Sequence, residues 1–438
     1  MSEQNQTDPL ASADAAMEPT LDWALAADER DPLRGFRDEF LIPSSPARPD
    51  GRMVYLAGNS LGLQPRGVEQ AVREEVEDWA HLAVDAHLEG RHPWYSYHEQ
   101  FRDALGRIVG ANPGEIVVMN SLTINLHLLF ASFYRPTNDR FRIAIEPTAF
   151  PSDAYAVTSQ IAWHGLDPGT SLVRLRPREG EMTLRTDDIE RFIEREGDSV
   201  AILWLGAVNY LTGQWFDMER ITAAARARGC LVGWDLAHAA GNVPTRLHDC
   251  GADFAVWCSY KYLNAGPGAV AGAFVHERHA SNPALPRLAG WWGNDPATRF
   301  QMRPEFVPRP GADGWQVSNP SILAMAPLRI SLEQFERAGI DRIRAKSVRL
   351  TGYLQFLLTR SLPEAVSIIT PGESAHRGAQ LSLSIAGDAP RVQQTLRERG
   401  IVCDVREPNI IRVAPAPLYN TFADVWAFAD ALAASLRE

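Results

Sequence analysis

Lys261 and Asp235 are the side chains of this sequence whose types and spacing point most directly to covalent chemistry. The chain has 43 Lys and Arg residues, of which two, Lys261 and Lys346, are lysines. An amine that loses its proton in a desolvated site attacks carbonyls, whereas a guanidinium stays charged. Lys261 stands in residues 257–268, WCSYKYLNAGPG, just past the apolar run 254–258 and before Gly266, Pro267 and Gly268. That is the profile of a buried strand ending in a turn, where α/β sheets bind ligands. Asp235 ends the preceding strand-like run. Consecutive parallel strands bring their C-terminal ends to one rim, so the carboxylate and the amine address one crevice. The pair suits pyridoxal phosphate, the lysine joining the aldehyde and the carboxylate keeping the ring nitrogen protonated. A lone Asp at such a spot is more often a helix cap, so its pairing with Lys261 carries the reading. His238, three residues on, has helical spacing for a metal ligand, but no third ligand is placed by the sequence and no metal is expected.

Other residues could complete such a site. Ser121-Leu122-Thr123 follows the strand 116–119 and precedes the helical run 125–133, offering hydroxyl and N–H groups at a helix N-terminus to an anion such as a cofactor phosphate. Phe150-Pro151-Ser152-Asp153 sits likewise between a strand and a helix, where an aromatic ring can lie flat on a planar cofactor. Arg412 interrupts the apolar strand 410–413. A buried arginine requires a carboxylate, and an amino-acid substrate provides one.

The elements that must position these residues follow from periodicity. Apolar runs at 143–145, 171–175, 200–205, 230–234 and 254–258 alternate with helical patterns at 152–163, 185–196 and 217–228, the signature of a parallel sheet with crossover helices. Earlier, a short helix is expected near 21–27, a long amphipathic helix from Arg66 to about Leu88, and a shorter one over 101–109. A second zone begins near Trp315 with helical patterns 324–337 and 340–360. After these come strands 367–370 and 380–385, helix 390–399, strands 401–405 and 410–413, and a last helix capped by Thr421. Lys346, among Arg342, Arg344 and Arg349, reads as part of a solvated face. The expected division is a mobile tail over 1–17, a segment 18–52 packing with the small domain, a large domain 53–314 and a small C-terminal domain 315–438.

At 438 residues the chain exceeds what one core fills, so two domains are the expectation. A net charge of −11 argues against nucleic-acid backbones and anionic membranes as partners. Cys230, Cys250, Cys258 and Cys403 form no CxxC pair and read as buried free thiols in a reducing cytoplasm. Neither a signal peptide nor a run of membrane-spanning length is evident.

Eight motifs, NSLGLQP (59–65), MNSLTINLHLL (119–129), FPSDAYA (150–156), DLAHAAGNV (235–243), CSYKYLNAGPG (258–268), GWWGN (290–294), SNP (318–320) and RVAPAPLYN (412–420), occur in the order found in kynureninases. From about Leu56 onward the sequence resembles that family. The resemblance implies a fold-type I, aspartate-aminotransferase-like α/β enzyme with a mostly parallel seven-stranded sheet, a small α+β C-terminal domain and a homodimeric assembly. It implies that Lys261 carries pyridoxal 5'-phosphate, that Asp235 partners the pyridine nitrogen, and that His238 lies beside the ring substituents with Phe150 stacked on the ring. Leu122, Thr123, Ser152, Asp153 and Tyr260 would hold the cofactor and its phosphate, and Trp291 and Asn319 would arrive from the neighbouring subunit. Arg412 matches the arginine that binds the substrate carboxylate. His87 and Asn319 match residues at the aryl end, and Ser60 is placed with the substrate. The activity implied is hydrolytic Cβ–Cγ cleavage of L-kynurenine or 3-hydroxy-L-kynurenine to L-alanine and anthranilate or its 3-hydroxy analogue. Lys261 would move the protons and Tyr260 would donate one, serving tryptophan catabolism or the synthesis of a nicotinamide precursor. The rivals are an aminotransferase or cysteine desulfurase of the same fold, and a cofactor-binding regulator without catalysis. A desulfurase needs a reactive thiol on a mobile loop, and Cys250 and Cys403 sit in packed contexts.

Overall fold

Strands buried on both faces form the centre of the molecule, as parallel sheets covered by crossover helices require. In the computed structural model, which describes residues 17–437 apart from 281, 283 and 363, these are β1 (Ile116–Val118), β2 (Arg142–Ile145), β3 (Leu172–Arg174), β4 (Val200–Gly206), β5 (Leu231–Asp235), β6 (Phe254–Trp257) and β7 (Gly272–Val275). They form one seven-stranded sheet in the order β1-β7-β6-β5-β4-β2-β3. β7 runs antiparallel to both its neighbours, and the remaining pairs are parallel. The C-terminal ends of β2, β4, β5 and β6 therefore share a rim, which receives Asp235 as the last residue of β5 and Lys261 four residues beyond β6. Strand β7 was not among the sequence expectations. Its run, GAFV, is short and follows a glycine-rich turn, which reads as loop. Gly272 is required there because a Cβ would stand 2.1 Å from the Trp257 ring.

A second sheet, β8 (Val366–Ile368), β9 (Leu381–Ile385), β10 (Asp404–Arg406) and β11 (Ile410–Val413), is antiparallel in the order β8-β9-β11-β10. The helices that matter for the site and its surroundings are α1 (Leu21–Glu29), α2 (Val68–Leu82), α3 (Leu122–Phe133), α4 (Pro151–Trp163), α5 (Ile322–Ala338), α6 (Ile340–Ser361) and α7 (Phe422–Ser435). Thr421 caps α7 as its position suggests: its hydroxyl accepts the Asp424 N–H at 3.0 Å, and the Asp424 carboxylate accepts the Thr421 N–H at 3.2 Å. The change in packing comes later than the change in composition near Trp315. Met325, Leu328, Leu332 and Phe335 of α5 belong to the core under the large sheet, while Leu350, Tyr353, Leu354 and Leu357 of α6 join Ala24, Ala27 and the second sheet in a separate core. Of the expected N-terminal tail, residues 1–16 lie outside the described residues, and Met17 packs against that second core.

Two expectations are corrected. The helix expected from Arg66 to about Leu88 stops at Leu82, because Ala83 takes a positive φ of 50° that L-residues seldom adopt. The chain then continues as separate short turns. Lys346 is not on a solvated face. It is buried and pairs with Asp31 at 2.6 Å, because the N-terminal segment folds back over α6. Burial pushes its amine below the usual lysine range, and Asp31 opposes that shift. Removing one member of a buried pair leaves an uncompensated charge and costs about 3–5 kcal/mol. Lys346→Ala is therefore expected to lower the unfolding free energy by about 3 kcal/mol, read from the denaturant midpoint; an unchanged midpoint would show the pair to be dispensable. All four cysteines are buried and unpaired. Among the described residues no helix is long and apolar enough to cross a membrane.

Candidate active site

The turn after β6 is built to present Lys261. Cys258 and Ser259 remain buried, the Asn264 N–H returns to the Lys261 carbonyl at 2.9 Å, and Asn264 itself takes a left-handed φ of 56°, which asparagine tolerates. The loop containing Gly62 closes over this turn. Its N–H donates to the Tyr260 carbonyl at 2.8 Å, and a Cβ on Gly62 would meet the Lys261 carbonyl oxygen at 2.5 Å. Glycine is thus the residue that lets the NSLGLQP stretch touch the lysine turn.

Lys261 opens into a cavity of about 140 Å³ whose wall includes Leu122, Thr123, Phe150, Ser152, Asp153, Asp235, His238 and Tyr260. Lys261 Nζ is 3.1 Å from His238 Nε2 and 5.8 Å from the centre of the Phe150 ring. Asp235 accepts the Ala237 N–H at 2.7 Å, which fixes one oxygen. Thr123 Oγ1 and Ser152 Oγ are 2.8 Å apart at the first turns of α3 and α4, so two helix N-termini and two hydroxyls face one point. That arrangement suits a phosphate. The residues fit pyridoxal phosphate: an amine for its aldehyde, an aromatic face for its ring, a carboxylate for its nitrogen and an anion cradle for its phosphate. His238 Nδ1 is buried and, among the described residues, has no hydrogen-bond partner.

Three carboxyls crowd the same wall. Burial pushes Glu146 up to about 7 and raises Asp153 well above the carboxylate range, where Asp235 adds to the effect. Asp235 is also raised by burial, but the Lys261 charge and the Ala237 N–H pull it back. Asp235 is accordingly the member that keeps its negative charge, while Glu146 and Asp153 tend toward the neutral form. Burial, aided by the charges of Lys261 and Arg412, holds His238 well below the usual imidazole range, so it is a neutral neighbour of the amine. Tyr260 is raised above the usual phenol range, chiefly by burial, and stays protonated at neutral pH.

Glu146, Val208, Tyr210 and Ala237 also line the cavity and were missed in the sequence. For Glu146 the signal was present: like Asp235, it lies at the end of an apolar parallel strand. Its Oε2 accepts from Asn209 Nδ2 at 3.0 Å, and the Asn209 side-chain oxygen in turn accepts the N–H groups of Leu211 and Thr212. Glu146 thereby steadies the loop carrying Tyr210, whose ring stands edge-on to Phe150 at 5.2 Å.

Ser60, His87, Trp291, Asn319 and Arg412 fall outside the lining of this cavity. Arg412 is buried, and its carboxylate partner is Asp404, directly opposite it in the β10–β11 register. Its other hydrogen bond, at 2.8 Å, goes to the carbonyl of Tyr210 in the cavity wall. Ser60 and Asn319 are exposed. His87 is half-buried, held by the Val84 carbonyl at 3.0 Å and edge-on to Trp94 at 5.5 Å. Trp291 is 42% exposed and packs edge-on to Phe300 at 5.5 Å. The thiols of Cys250 and Cys403 are buried and pushed up to about 11 and about 12, chiefly by burial, so neither is a poised nucleophile.

A family model described as the kynureninase C-terminal domain matches residues 343–432. A kynureninase from Myxococcus xanthus is 58% identical over 418 residues, covering 95% of this chain and 97% of that one. A kynureninase from Koribacter versatilis is 53% identical over 426 residues, covering 97% and 100%. Among solved structures, a cysteine desulfurase from Thermococcus onnurineus NA1 aligns with a TM-score of 0.72 at 18% identity, covering 88% of this chain and 95% of that one. At that identity the likeness speaks for the fold alone. With more than half of the residues identical over nearly the whole length of both chains, the chain belongs to the kynureninase family.

Proposed function

We propose that this protein is a pyridoxal-phosphate-dependent hydrolase that cleaves the Cβ–Cγ bond of L-kynurenine or 3-hydroxy-L-kynurenine, releasing L-alanine and anthranilate or 3-hydroxyanthranilate. The observation that carries it is the meeting of Lys261, Asp235 and Phe150 in one cavity within a chain 58% identical to a kynureninase. Bound cofactor would supply an aldehyde for amines and a protonated ring that draws electrons from the bond being broken. Lys261 Nζ, once the substrate's amine has taken its place, removes the proton from the substrate α carbon. Asp235, the ionised member of its carboxyl cluster, holds positive charge on the ring nitrogen. Neutral His238 keeps the amine oriented without competing for charge. The Tyr260 hydroxyl, on the residue before the lysine in the same cavity wall, gives a proton back, and Arg412 orients the substrate carboxylate.

The family reading also assigns a second copy of the chain. Trp291 and Asn319 are exposed and stand outside their own cavity, which suits a homodimer in which each completes the partner's site. His87 would then line the aryl end of the substrate pocket, and Ser60 would contact the substrate. The exposed apolar residues Trp79, Val84, Leu88, Phe300 and Met302 suit burial against that copy. The reducing cytoplasm is the compartment that suits four free buried thiols.

Purified protein loaded with pyridoxal phosphate should release alanine and a fluorescent anthranilate in equal amounts from kynurenine. Loaded protein that yields alanine from neither kynurenine nor its 3-hydroxy form would refute the assignment. Arg412→Met is expected to raise KM about 100-fold, the scale of a lost charge-assisted pair, while cofactor absorbance is unchanged. An unaltered KM would mean that Arg412 serves Asp404 and the Tyr210 carbonyl alone.

A further inference from the structure

At the rim of the large sheet opposite Lys261, three side chains from separate stretches converge. Glu115 immediately precedes β1, His276 immediately follows β7, and His248 lies in the connection between β5 and β6. Because β7 runs against β1, the end of one meets the start of the other. Glu115 is 1% exposed. Its two oxygens lie 3.0 and 3.1 Å from His248 Nδ1, and His276 Nδ1 is 3.4 Å from Oε1. The two imidazole rings stack at 4.9 Å and 26°, so both present an Nδ1 edge to the same carboxylate.

We propose that Glu115, His248 and His276 form a binding site for one divalent transition-metal ion of the zinc type, remote from the catalytic cavity. Zinc holds nitrogen and oxygen ligands at about 2.0–2.2 Å, which in a tetrahedron sets neighbouring ligand atoms about 3.4 Å apart. The two nitrogen-to-oxygen separations here are close to that spacing, and all three ligand atoms lie within 4.8 Å of one another. A hydrogen bond accounts for the approach of His248 Nδ1 to the carboxylate, and none accounts for that of His276 Nδ1. The Arg278 N–H donates to His276 Nδ1 at 3.3 Å, which makes that nitrogen a lone-pair acceptor facing the Glu115 oxygen, itself an acceptor. A cation between them would take that single lone pair in place of the long Arg278 N–H contact and hold the carboxylate oxygen as well. The carboxylate is held for this task by backbone N–H groups of Glu277 at 2.8 Å and Asn112 at 2.9 Å, the outer support that metal-ligating carboxylates require. Asn112 Nδ2, 3.2 Å from His248 Nδ1, would turn from that nitrogen to the fourth, water-filled position. A metal here ties the start of β1 to the end of β7 and to the connection before β6, so its effect is on stability and not on turnover.

The test is calorimetric titration of chelator-treated, cofactor-loaded enzyme with zinc chloride. One equivalent per chain should bind with a Kd of about 10 µM or tighter, and the affinity should fall at least about tenfold in both His248→Ala and His276→Ala. Zinc should raise the thermal midpoint of the parent protein and of neither variant, with kcat unchanged throughout. His276→Gln, which retains a polar side chain, serves if the alanine variant does not fold. Absence of zinc binding in the parent, or one equivalent bound equally well by both variants, overturns the proposal.

Discussion

Lys261→Ala is expected to lower kcat by at least about 10,000-fold while leaving the fold intact, because the substitution removes both the covalent anchor and the proton carrier. The other lysine in the chain cannot substitute, since Lys346 is buried and paired with Asp31. Lys261→Arg should be equally inactive: a guanidinium fills the space but neither attacks a carbonyl nor gives up its proton at neutral pH. Two readouts separate this from a structural defect. Borohydride treatment of the loaded parent should fix the cofactor to the peptide containing Lys261 and leave the variant unlabelled. Small primary amines added to Lys261→Ala should restore part of the turnover, since the missing group is an amine beside an otherwise complete cavity. Retention of turnover within about tenfold of the parent would remove Lys261 from the chemistry.

What could be read from the sequence was whatever depends on strand order. Asp235 and Lys261 share a rim because β5 and β6 are parallel neighbours, and that relation is written in two apolar runs and the turns that follow them. Thr123, Phe150 and Ser152 follow from the same rule, each lying just past a strand. Contacts made by long-range folding back were not legible. Lys346 sits among arginines in a helical pattern and reads as solvated, yet Asp31, more than 300 positions earlier, covers it. Arg412 was read as awaiting a substrate carboxylate, and the cross-strand register supplies Asp404 eight residues away. Substrate and Asp404 are therefore two claimants on one guanidinium whose Tyr210 bond reaches the cavity wall. Periodicity could not locate the break at Ala83 either, since the apolar pattern runs on past a residue whose φ is set by the loop beyond it.

Asp235→Asn is expected to reduce kcat/KM by about 100- to 1,000-fold, the equivalent of roughly 3–4 kcal/mol and the scale of removing one member of a buried charge pair. Which carboxyl of the cluster is ionised decides the size of the effect. Glu146, Asp153 and Asp235 are all buried, and three negative charges so close together and so little hydrated disfavour one another. Asp235 has what the others lack, an adjacent Lys261 charge, in addition to a short N–H from Ala237, so the negative charge settles there. Asparagine keeps the shape and removes the charge. Asp153, hydrogen-bonded to Asp235, is the nearest replacement, but its other partner is Trp204 Nε1 at 3.1 Å and burial holds it toward the neutral form. The variant should also release cofactor on dialysis faster than the parent, since the attraction to the ring nitrogen is gone. Turnover within about threefold of the parent, with cofactor retained, would show that Glu146 or Asp153 carries the charge instead. The double variant with Asp153→Asn would then be the one to fail.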